Sequence, residues 1–64
     1  MFRYHLLSDV SATYDTSLEC DHAILAQWPT ATRELLRQAG PDVYIHEVLV
    51  DGAVVAHIVC VRMK

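Results

Sequence analysis

Along the first residues, apolar side chains fall on every second position. Phe2, Tyr4 and Leu6 alternate with Arg3, His5 and Leu7. This is the period-two pattern of a strand with one buried face, and it predicts a strand from Phe2 to about Val10. Residues 11–16 are rich in Ser, Thr and Asp, whose side chains bond the nearby backbone, and read as a loop.

The period then changes. Thr16-Ser17-Leu18-Glu19 has the spacing of a capping box, so a helix is expected through Gln27. At about 100° per residue, Leu18, Cys20, Ile24, Leu25 and Trp28 fall on one side of it. Pro29 lacks an amide hydrogen and restricts Trp28 before it, which ends or kinks the helix. A second helical segment is predicted over residues 30–39. Its apolar stripe is Ala31, Leu35, Leu36 and Ala39, and Arg33, Glu34, Arg37 and Gln38 form its solvated side. Gly40-Pro41 is the stop signal.

The last third carries two β-branched runs, 43–50 and 53–63, joined by Asp51-Gly52. That dipeptide favours a type I′ turn and predicts a β-hairpin. Without a bulge, the turn sets Val48 opposite Val55, His46 opposite His57, and Tyr44 opposite Val59. The expected fold is α+β: a strand, two short helical segments or one kinked helix, then the hairpin. Together they would give a three-stranded antiparallel sheet packed on helix, in strand order 1-3-2, as one domain over residues 1–64.

One hairpin face then carries Val43, Ile45, Glu47, Leu49, Val54, Ala56, Ile58, Cys60 and Arg62. Its large aliphatic residues match Phe2, Tyr4 and Leu6, so the helices are expected to cover this face, although Glu47 and Arg62 count against that choice. The other face, with Tyr44, His46, Val48, Val55, His57, Val59 and Val61, would be left bare. An apolar patch of that size marks a surface for another polypeptide. Trp28 is either a core anchor or an exposed aromatic hot spot beside that face, and in the second case Arg33 and Arg37, one helical turn apart, form its polar rim.

Composition sharpens this picture. The chain has 64 residues, 53% of them hydrophobic and 20% charged. So short a chain buries only about 60% of the surface its unfolded form exposes, so a source of stability outside its own core is expected. The net charge is −3 and the five basic residues are scattered, which is not the footprint of a nucleic-acid binder. No apolar run approaches the ~20 residues that cross a bilayer. No membrane partner and a cytosolic location are expected, with Cys20 and Cys60 as buried free thiols.

The chemistry-bearing residues form no recognisable catalytic motif. Cys20 and His22 point to different sides of a helix, and His57 and Cys60 to opposite faces of a strand. Asp9, Asp15, Glu19 and Asp21 read as caps and helix-dipole partners. His5, His46 and His57 could line up across the sheet as three imidazoles able to bind zinc. No cofactor is implied.

The expected function is that of a non-enzymatic interaction or regulatory module. It would bind or inhibit a larger protein, or act as a homodimer. The alternative is an oligomeric small-ligand or metal-binding protein with a histidine-lined site on the sheet. The strand, helix and hairpin layout resembles that of some small phage-encoded inhibitors, anti-CRISPR proteins among them, in layout and size alone.

Overall fold

The computed structural model describes residues 1–9 and 11–63. The elements are β1 (Phe2–Leu7), β2 (Ala12–Tyr14), α1 (Ser17–Gln27), β3 (Thr32–Gly40), β4 (Val43–Val50) and β5 (Ala53–Arg62). The strands form one five-stranded sheet in the order β2-β1-β5-β4-β3, and every neighbouring pair is antiparallel. The expected three-stranded sheet with two helical segments is therefore replaced by five strands and one helix. With β2 and β3 present, the layout behind the likeness to small phage-encoded inhibitors is not the observed one.

Two segments account for the difference. Ala12–Tyr14, expected as loop, folds back on β1 and pairs Tyr14 with Tyr4 and Ala12 with Leu6. The predicted end of the first strand, at Val10, lies outside the described residues. Thr32–Gly40, expected as helix, is the edge strand β3. The helical preference of its Leu, Arg, Glu, Gln and Ala residues is worth only a few tenths of a kcal/mol each, and an isolated helix of this length is marginal. Pairing with β4 supplies a hydrogen-bonded ladder instead, and Gly40-Pro41 becomes the connection of a second hairpin.

The helix begins where its capping residues place it. Thr16 is extended and its Oγ1 accepts the Glu19 amide at 3.1 Å. Its hydroxyl also lies 3.1 Å from Glu19 Oε1, to which it donates. The Trp28 amide closes the last turn on Ile24 O at 2.7 Å before Pro29. Cys20 and Ile24 are buried and Trp28 is half-buried, whereas Leu18 and Leu25 of the expected apolar stripe stay exposed. The core joins Cys20 and Ile24 to Leu6, Val48, Ala56, Ile58 and Cys60 of the sheet.

The Asp51-Gly52 turn forms with both residues at positive φ, 52° and 79°, as a type I′ turn requires. A bulge follows it. Leu49 is opposite Val54 but Val48 is opposite Ala56, leaving Val55 as the extra residue. The bulge moves every later pair by one position. His46 faces Ile58, Tyr44 faces Cys60, and His57 faces Glu47. A shift of one residue exchanges the faces of one strand relative to the other. Tyr44, His46 and Val48 consequently share the helix side with Ile58 and Cys60, while Ile45, Glu47 and Leu49 lie on the open side with His57 and Val59. The bare face expected from the sequence is thus divided between the two sides of the sheet.

Candidate interaction surfaces

Helix α1 lies over β1 and β2. Its side chains bury Leu6, Val48, Ala56 and Ile58, and farther along these strands the same side of the sheet carries an aromatic hollow of about 150 Å³ lined by Phe2, Tyr4, Arg33, Tyr44, His46 and Cys60. The Phe2 ring stands 6.3 Å from Tyr4 and meets Tyr44 edge-on at 6.1 Å. The Arg62 guanidinium covers Phe2 at 5.3 Å, a cation–π contact.

Arg33 is the charge at the inner end of the hollow. Its Nη1 donates to Asp21 Oδ1 at 2.9 Å and its Nη2 to Ser17 Oγ at 3.2 Å. These bonds tie β3 to the first turns of α1. A second hollow, of about 230 Å³, lies alongside this tie between Ile24, Leu25 and Ala31. Burial lowers the His46 pKa, the nearby Arg33 lowers it further, and Asp21 opposes the shift. The imidazole Nδ1 is buried without a hydrogen-bond partner. Burial also raises the Cys60 thiol and pushes Cys20 up to about 11. Both cysteines are free and buried, and neither is a thiolate at neutral pH.

The opposite side of the sheet is covered by no described element. One cross-strand row runs Thr13, His5, Val59, Ile45 and Arg37, and the next runs Leu7, His57, Glu47 and Glu34. Val43 and Val61 continue the apolar centre beside Ile45 and Val59. His5 Nδ1 is bonded to Thr13 Oγ1 at 3.1 Å. His5 and His57 thus share the open side, and His46 lies on the helix side. The row of three imidazoles does not form, and no group of three or more potential metal ligands occurs among the described residues.

Arg33 and Arg37, expected on one helical face, lie on opposite sides of the sheet. Arg33 is opposite Val48 on the helix side, and Arg37 is opposite Ile45 on the open side. Trp28 packs against the core, as the first of its two readings expects, and is not a free hot spot.

The third surface is the edge itself, formed by a segment that the sequence reading takes as helix. At one margin β2 is three residues long, a short edge that resists further pairing. At the other margin β3 runs for nine residues, with Leu35 59% and Leu36 48% exposed. The signal for it is the Gly40-Pro41-Asp42 connection, which suits a tight turn between strands as well as a helix stop.

No helix among the described residues is long and apolar enough to cross a membrane. Compared with protein families, with characterised proteins and with solved structures, the chain matches none.

Proposed function

We propose that this protein is a non-enzymatic interaction module that presents a partly bare β-sheet to another polypeptide, either a second copy or a larger protein. The observation that carries the reading is the one-sided cover of the sheet. The single helix packs on one side of the sheet, and no described element covers the Val59–Ile45 side. A chain of 64 residues has little core from which to offset so much exposed apolar surface, and burying it against a partner supplies the missing stability. The buried thiols, with their raised pKa values, suit a reducing, cytosolic setting and a structural role.

The test sets wild-type protein beside Val59→Lys, which places a charge in the middle of the open side. Molar mass by light scattering over a concentration series reads self-association, and affinity capture reads a heterologous partner. A rise in mass, or one protein captured in stoichiometric amount, that Val59→Lys reduces with its circular dichroism unchanged supports the reading. A monomer at every concentration that also captures nothing beyond what the variant captures contradicts it.

A further inference from the structure

The exposed edge strand is self-complementary about its centre. Its middle reads Arg33-Glu34-Leu35-Leu36-Arg37-Gln38. When this segment is laid antiparallel to itself about the Leu35–Leu36 bond, acid meets base on either side of a leucine pair. We propose that β3 pairs with β3 of a second copy in this register, joining two five-stranded sheets edge to edge across a two-fold axis. The proposal rests on the interaction-module reading and adds to its open sheet side a second surface, the β3 edge, with one occupant and one register.

In an unbroken strand the register would fail. Residues directly opposite in an antiparallel pair point to the same face, and positions an odd number apart on one strand point to opposite faces. Glu34 and Arg37 are three apart. Between them, however, β3 carries a bulge: Leu35 is opposite His46 and Arg37 is opposite Ile45, which leaves Leu36 as the extra residue. The bulge returns Glu34 and Arg37 to the same open side, opposite Glu47 and Ile45 respectively. It likewise puts Arg33 and Gln38 on the helix side, opposite Val48 and Tyr44. The interruption that would blunt an ordinary edge thus makes this one fit its own copy.

Charge supplies the second argument. Glu34 sits opposite Glu47, a like-charge pair that destabilises a ladder. Among the described residues neither Glu34 nor Arg37 has an ion-pair partner. In the paired sheet the partner's Arg37 lies opposite Glu34, and by symmetry the contact occurs twice. Leu35, 59% exposed, and Leu36, 48% exposed, then cover one another at the axis.

Charge reversal tests the proposal with the full chain. Glu34→Arg alone sets two arginines opposite two arginines, and Arg37→Glu alone sets acids opposite acids. Each is expected to weaken the dimer by about tenfold or more in light scattering. Mixing the two single variants, or combining them in one chain, restores both ion pairs and the dimer mass. The restored mixture also shows that each single variant is folded. Single variants that dimerise like the wild type would overturn the register while leaving self-association through another surface in place. A wild type that stays monomeric at every concentration would overturn the proposal, and a captured heterologous protein would then separate that failure from failure of the interaction-module reading.

Discussion

Glu34 lies directly opposite Glu47 across the β3–β4 ladder, on the side of the sheet that no helix covers. Two facing carboxylates cost a sheet stability, and a facing opposite charge adds about 0.2–1 kcal/mol. Glu47→Lys is therefore expected to raise the monomer's free energy of unfolding in urea by an amount in that range, and with it the midpoint. An unchanged or lower midpoint would show that the two side chains do not sense one another.

Arg33 is the link between the edge strand and the helix. Replacing it with Met removes the bonds to Asp21 and Ser17 and is expected to cost about 1 kcal/mol, because the guanidinium is only partly shielded from water. The more diagnostic readout is His46. Arg33 is one of the two causes that lower its pKa, so an NMR titration of Arg33→Met should place His46 higher than in the wild type while burial still holds it below its ordinary value. An unmoved His46 would separate the two groups.

The same groups set the pH limits of stability. His46 has a lowered pKa in the fold, so the unfolded chain binds its proton more readily, and stability falls as pH drops below the ordinary imidazole value of 6.5. Cys20 has a raised pKa, so the unfolded chain loses its proton first. Stability then falls as pH rises above the ordinary thiol value of 9.0 and levels off beyond about 11. Urea denaturation across pH should show both flanks, and Cys20→Ala should flatten the alkaline one whatever it costs in packing. An alkaline flank that persists unchanged in that variant would assign it to other groups.

Gly52 occupies the left-handed region at φ +79° with open space around the position of a Cβ. Gly52→Ala meets no neighbour, so its cost is conformational, about 1–2 kcal/mol, and thermal unfolding should register it. Asp51, also at positive φ, should accept Asn or Gly with little change. A Gly52→Ala protein as stable as the wild type would exclude the type I′ turn.

The hairpin turn, the first strand and the helix start were legible because each depends on local chemistry: Asp51-Gly52, the Phe2-Tyr4-Leu6 alternation, and the Thr16 cap. What escaped the sequence depends on distant partners. Leu35, Leu36 and Arg37 have the composition and spacing of a helix and become strand only because β4 offers a free edge. β2 is too short to show a period. The bulge at Val55 has no sequence mark of its own, yet one trace of it was visible. A register without the bulge places Glu47 on the covered side, and the observed one places it on the open side, opposite His57. The imidazole row and the single bare face were lost to that one extra residue.

Pairing of β3 with β3 of a second copy is tested most directly by an isotope-filtered NOE experiment on an equal mixture of labelled and unlabelled protein, at concentrations where light scattering reads a dimer. We expect backbone contacts between copies to centre on Leu35 and Leu36, with Glu34 of one chain beside Arg37 of the other. An absence of intermolecular contacts from β3, even with contacts from Ile45, Val59 and their neighbours on the open side, would contradict the edge pairing.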